Sequence, residues 1–413
     1  MESEGPVCQT EFRGEPAYAI GGHEADIAAW KSPDNWLYGP PSSGGNFFRQ
    51  ELGEMHVTQL DGEPHRRSRK LILPAFGVAA VTRDYDLVAD TLARGMREWS
   101  GSTLDLHPAF SRLITQALNV SQLKESISLE EINKLVTFEE GFIPASALEP
   151  EARQRWYDTA EYSDARQAAF SYFESVVDER LAGTRKHDSL DLVMERAVPE
   201  GLSALSRDEL VRAVYLLSVA GVGNIANILC AALWALGKHP DWISIIRDEL
   251  GDFGPGSLKQ ASLKQGMGSL PNLKAVISEV ERCYLPAPVI PKMSAGPVNF
   301  MGYDIPGKAH ILHLHGLAHF ENERYAAPLE FDPARWLDKE TPRGNAFGGG
   351  PHLCLGMGVT RFYVPLMLAG FISSFDWAFE KPPAFVSQAP GLDYAPLTTS
   401  FFSRLSGRVS RRV

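Results

Sequence analysis

Phe347-Gly348-Gly349-Gly350-Pro351-His352-Leu353-Cys354-Leu355-Gly356 is the stretch whose reading decides the fold. It places one cysteine in a glycine-rich loop that opens onto an apolar run of helical character. Glycines let the backbone approach a flat macrocycle and aim N–H groups at the sulfur, and the following helix brings its positive end close by. Both effects favour thiolate over thiol, which suits an axial ligand on iron. A lone cysteine is most often an inert buried residue. The reading therefore rests on its neighbours: the aromatic, the glycines, His352 and Gly356 stand at fixed offsets from Cys354.

That spacing, F-x-x-G-x-H-x-C-x-G, resembles the haem-binding loop of the cytochrome P-450 family. The resemblance implies haem b (iron protoporphyrin IX) as cofactor, Cys354 as iron ligand, and Phe347, Gly348, His352 and Gly356 around it. It also implies a mainly α fold with small β-sheets, the cytochrome P-450 fold, in which a long central distal helix and the cysteine loop sandwich the haem. Residues 1–413 are expected to form a single haem domain. Set against the family, the chain starts close to the first sheet, and the proline-rich leader and first helix are expected to be absent.

Two further segments support the resemblance. Glu279 and Arg282, three apart in a helical stretch beginning near Pro271, share a helix face. In the family such an E-x-x-R engages the arginine of an F-x-P-x-R-[FW] segment, here Phe331-Asp332-Pro333-Ala334-Arg335-Trp336. The resemblance gives Glu279, Arg282 and Arg335 a structural role in shaping the proximal loop. His65 and Arg69, spaced i, i+4, can meet one anion and match the helix that holds a haem propionate. Lys292, thirteen residues before Ile305-Pro306-Gly307, falls where an arginine usually grips the other propionate. A lysine offers one compact charge in place of a planar fork, so its grip is expected to be weaker and less directional.

The chemistry depends on a third segment. Ser206-Arg207-Asp208-Glu209 is a capping box, and the apolar run from Leu210 to Leu236 predicts one long, buried helix. In the family this helix carries A-G-x-[DE]-T, whose acid and alcohol deliver protons to iron-bound dioxygen. This chain reads Ala220-Gly221-Val222-Gly223-Asn224, so Gly223 replaces the acid and Asn224 the alcohol. An amide is no general acid near neutral pH, although Asn224 can donate a hydrogen bond. Gly221, Gly223 and Asn224 are the candidate catalytic positions; a purely structural alternative has both glycines letting the helix pass the porphyrin and Asn224 capping a local distortion. Related glycine-asparagine sequences occur in a branch of the family holding both an endoperoxide isomerase and a dioxygen-using hydroxylase.

Two mechanisms follow. In one, a ferredoxin or flavoprotein reductase supplies electrons and the enzyme acts as a monooxygenase with noncanonical proton delivery. In the other, an oxygen-independent isomerase, lyase or cyclase rearranges a peroxide or heteroatom bond. A non-catalytic haem-binding protein is a third reading. Trp36, Leu37, Tyr38, Phe47 and Phe48 in an early loop, with Val219, Val222 and Ile225 on the distal helix, are the pocket candidates for a small to medium, largely apolar molecule. Arg66, Arg67, Lys70, Arg343 and Arg361 are candidates for receiving an acidic redox partner.

Composition narrows the remainder. A net charge of -11 argues against a nucleic-acid partner. Cys8, Cys230, Cys283 and Cys354 are too scattered for a disulfide framework or a CxxC zinc site. No apolar run near the N-terminus reads as a signal peptide or membrane anchor, so a cytoplasmic tailoring enzyme of bacterial type is expected.

Overall fold

The computed structural model describes residues 5–12, 14–38, 47–145, 150–251, 270–379, 384–385 and 402–412. Helices dominate, with small sheets at the edges.

The chain opens on the hairpin expected of its alternating start. Val7–Phe12 pairs antiparallel with Glu15–Gly21, and Gly14 turns between them at a φ of 78° that favours glycine. Glu15–Gly21 then pairs in parallel with His310–Leu314, which carries Ile290–Ser294 and finally Trp36–Leu37, both antiparallel. Val7, Ile20, Trp36, Phe300, Ile305 and Ile311 form a small core of their own behind this sheet. The sheet thereby ties the start of the chain to the segment that delivers Lys292.

The main core lies among the helices. Val222–Lys238 is buried on nearly every face and packs on Leu106–Leu118 and on Met357–Ser374, the helix that follows the cysteine loop. Among the described residues, Arg207–Lys238 is the one stretch long and apolar enough to cross a membrane, and most of its apolar window is buried inside the protein.

Two expectations are corrected. The distal helix is two helices, Arg207–Ser218 and Val222–Lys238. The Val219 and Ala220 N–H groups both donate to the Tyr215 carbonyl at 3.1 Å, and Gly221 turns left-handed at φ 74°, so the regular i to i−4 ladder fails there. The segment from Trp36 to Phe48, expected as loop, contains the strand Trp36–Leu37 and the start of a helix, Phe47–Leu52; residues 39–46 lie outside the described part.

Candidate cofactor site

The cysteine loop is shaped by a wedge that sequence reading missed. Gly348 and Gly350 adopt left-handed φ values of 73° and 61°. A Cβ on Gly349 would stand 2.9 Å from Cγ of Trp30, so the glycines are needed for the loop to lie on that indole. Trp30 is held by a hydrogen bond from its Nε1 to Asp26 Oδ1 at 2.8 Å, and Asp26 Oδ2 accepts from Asn345 at 2.6 Å. The Cys354 N–H donates to the Phe347 carbonyl at 3.0 Å, closing the loop, while the Arg361 guanidinium lies 5.4 Å from the Phe347 ring centre.

Cys354 as a residue keeps solvent-accessible surface, yet enough protein surrounds its thiol to disfavour the charged form. The Gly356 and Met357 N–H groups donate to it, and a Cβ on Gly356 would come within 3.8 Å of the sulfur. Burial pushes the Cys354 thiol up, while the Gly356 N–H, the Arg69 charge and the Met357 N–H act in the opposite direction.

The predicted anion-binding residues converge beside this loop. Arg69 donates from Nη2 to the Leu353 carbonyl. His65 stacks on His352 with ring centres 3.9 Å apart, and Tyr38 stacks on the other face of His352 at 3.8 Å. Burial, with the neighbouring His65, Arg69 and Lys292 charges, pushes His352 down to about 3. Lys292 is fully buried, its Nζ 2.8 Å from His313 Nδ1 and 4.8 Å from the centre of the Tyr38 ring. His313 Nε2 in turn reaches Asp26 Oδ1 at 2.9 Å, so Lys292, His313 and Asp26 form a buried chain that abuts Trp30. Burial lowers Lys292 to about 7 despite the opposing charge of Asp26.

Glu279, Arg282 and Arg335 meet as their spacing suggested. Glu279, buried completely, accepts from Arg282 Nη2 at 2.7 Å and Nε at 2.9 Å, and from Arg335 Nε at 3.1 Å. The Asp332 N–H and the Trp336 indole also donate to it, at 2.9 and 2.8 Å. Burial alone would raise this carboxyl; hydrogen bonds and charge from Arg282, with those other donors, bring it below the usual range.

On the distal side, Asn224 is exposed on a helix whose neighbours Val222, Gly223 and Ile225 are buried. Its Nδ2 lies 4.0 Å from where a Cβ on Gly221 would stand. The Gly223 carbonyl meets His107 Nε2 at 3.3 Å, and His107 Nδ1 lies 3.3 Å from Glu140 Oε1. At the helix break a second carboxylate arrives from the helix Leu129–Ala145: Glu139 Oε1 accepts from the Gly221 N–H at 2.8 Å and Oε2 from the Tyr215 hydroxyl at 2.7 Å. No motif in the sequence pointed to Glu139.

Several pocket candidates belong to the core. Trp36 donates to the Ala29 carbonyl at 3.1 Å and packs edge-on against Phe300, inside the small sheet core. Val219, Val222 and Ile225 are buried in the main core, whereas Leu216, Ala220 and Gly221 are partly accessible with Asn224. Their periodicity placed all of them on one helix; the break at Gly221 rotates the face that stays open. The side chains of Phe47 and Phe48 lie outside the described part. Of the proposed docking set, Arg66, Arg67 and Lys70 pair with Glu63, Glu209 and Glu200 at 3.0, 2.7 and 2.7 Å, and Arg343 and Arg361 are exposed.

These residues fit a haem: a thiol met by N–H donors, with cationic and imidazole groups beside it. In solved structures, retinoic acid bound cyanobacterial CYP120A1 superposes with a TM-score of 0.80 at 20% identity, covering 100% of this chain and 93% of that one. Among characterised sequences, cyclooctat-9-en-7-ol 5-monooxygenase of Streptomyces melanosporofaciens is 28% identical over 332 residues, 76% of this chain and 71% of its own. Geraniol 8-hydroxylase of Swertia mussotii is 28% identical over 221 residues, 50% of this chain and 44% of its own. The cytochrome P450 family model matches residues 3–392, and a match over nearly the whole length places this chain in that family of haem-thiolate oxidoreductases.

Proposed function

We propose that this protein is a haem b monooxygenase that hydroxylates a small to medium, largely apolar molecule, of the kind named in cyclooctat-9-en-7-ol 5-monooxygenase and geraniol 8-hydroxylase. The observation that carries the reading is the Cys354 sulfur among backbone donors at the start of Met357–Ser374. When bound, haem supplies dioxygen activation, in which one oxygen atom enters the substrate and the other leaves as water at the cost of two electrons and two protons. An external ferredoxin or flavoprotein supplies the electrons, docking near exposed Arg343 and Arg361.

The chain's own residues divide the remaining work. Cys354 would ligate the iron. Arg69, His65, His352 and Lys292 would hold the propionates. Glu279 fixes Arg282 and Arg335 beneath the loop and so keeps its shape. Asn224 presents an amide donor to the substrate side. Leu216 and Ala220 offer apolar surface there, and Tyr38 adds an aromatic edge near His352.

The test is turnover of hydrocarbon alcohols with and without dioxygen and reductant. Product that depends on both is expected. Product formed anaerobically without a donor would instead establish the isomerase reading, which the missing acid at Gly223 keeps in view.

Lys292 makes haem binding pH-dependent. Its haem-free value is about 7, and a propionate beside it would raise that value. Haem uptake above pH 7 then takes up a proton, so affinity is full below that value and falls as pH rises, by up to about tenfold per unit. Haem transfer to a scavenger globin between about pH 6 and 9 measures this. Lys292→Met is expected to weaken binding at the acid end and flatten that slope.

A further inference from the structure

We infer that Glu139 is the proton-holding residue of this enzyme, passing a proton to the pocket at the break in the distal helix. The inference rests on the monooxygenase reading, which requires protons at a place where the distal motif itself offers no acid. Glu139 is almost wholly buried, yet it is aimed at the one point in the distal helix where the backbone ladder opens. Its two oxygens accept from Gly221 N–H and Tyr215 hydroxyl, on opposite sides of that break. Gly221 carries no side chain, and among the described residues Asn224 Nδ2 is the side-chain atom within 4.0 Å of the space a Cβ would take. The carboxylate and the accessible Asn224 thus meet the same bare backbone at Gly221, one at its N–H and the other where a Cβ would stand, and the step requires a water between them.

The alternative is that Glu139 only caps an orphan N–H. Its electrostatics favour more than a cap. Burial pushes Glu139 up to about 7 and the neighbouring Glu140 adds to this, outweighing the hydrogen bonds from Tyr215 and Gly221. The groups facing it are Tyr215 on one side, whose hydroxyl stays protonated because its own value is raised by burial and by Glu139, and Glu140 on its own helix, itself near His107. Behind Tyr215 lie His56, its ring 5.6 Å away, and Tyr162, with Arg212 near His56. No cation pairs with Glu139 among the described contacts, so a carboxyl that is protonated below about pH 7 and ionised above it can give up and regain a proton near neutrality. In the step, Glu139 loses one proton to the bridging water, which passes one on, and takes one back from bulk solvent. No electrons move through it.

The isosteric Glu139→Gln separates the readings, because its amide oxygen still accepts from Gly221 while the titrating proton is gone. On the resting holoprotein, infrared difference spectra across neutral pH are expected to show a carboxyl band titrating near 7 that Glu139→Gln lacks. In turnover, that variant should keep its haem and its substrate-induced Soret shift. It should nevertheless release hydrogen peroxide, with product per reductant falling on the order of tenfold to a hundredfold. Glu139→Asp should recover part of the coupling. In the unchanged enzyme coupling should fall as pH rises through about 7, and the variant should lose that dependence. Full coupling of Glu139→Gln in an enzyme that requires dioxygen, or absence of the titrating band, overturns the inference alone. Anaerobic turnover of the unchanged protein overturns the monooxygenase reading first, and the delivery role with it.

Discussion

The Cys354→Ser protein is expected to lose the red-shifted Soret band that a thiolate gives to a ferrous carbonyl haem, and to lose turnover with it. A serine hydroxyl is nearly the size of the thiol, and the Gly356 and Met357 N–H groups that point at sulfur can point at oxygen, so the loop should keep its shape. What changes is the ligand. A hard, weakly acidic alcohol does not share electron density with iron as a polarizable thiolate does. Changing only the outer partners of a metal ligand costs roughly 10- to 100-fold in affinity or activity, so loss of the ligand itself should exceed that range. Reduction under carbon monoxide followed by an absorption scan checks the result. A red-shifted band retained in the variant would mean that another thiolate holds the iron.

Glu279→Ala is expected to be the most destabilising single change near the site, at roughly 3–5 kcal/mol. The Arg282 guanidinium is 1% exposed and keeps its bonds to the His319, Pro328 and Glu330 carbonyls, but the substitution takes away the carboxylate that accepts from its Nε and Nη2. Arg335, the Asp332 N–H and the Trp336 indole lose an acceptor at the same time. The exposed pair Arg66–Glu63, with side chains 61% and 76% accessible, is the control: Glu63→Ala should leave the urea midpoint where it was. Because Glu279 sits below the ordinary carboxylate value in the folded state, its contribution is present at neutral pH and disappears as pH falls through that lowered value.

Much of this was legible in the sequence, for a physical reason. Glu279 with Arg282 and His65 with Arg69 share a helix face by spacing that survives in the linear chain, whereas the meeting of Arg335 with Glu279 and of His352 with His65 was implied by the family resemblance. The capping box at Ser206 and the hairpin at Gly14 are likewise local. What escaped was whatever depends on elements far apart in sequence. Trp30 is an ordinary tryptophan until three glycines, more than 300 residues later, prove to lie on it. Glu139 looks like a solvated acid of a helix rich in glutamate until Tyr215 and Gly221 claim its oxygens. The distal break was hidden because glycine is tolerated within a helix, and only the acceptor at Glu139 shows that the Gly221 N–H has a use outside the helix ladder.

Asp26 and Asn345 touch although 319 residues separate them, and Trp30 beside Asp26 is the floor on which the cysteine loop lies. A ribosome releases the first of these long before the last. Through most of synthesis Trp30 is therefore a floor with no loop lying on it, and the strand Glu15–Gly21 likewise waits for His310–Leu314 to emerge and pair with it. Contacts of such long range form late and slowly. The cofactor is consequently acquired by the finished chain, and nascent protein stalled short of residue 345 should take up no haem at all.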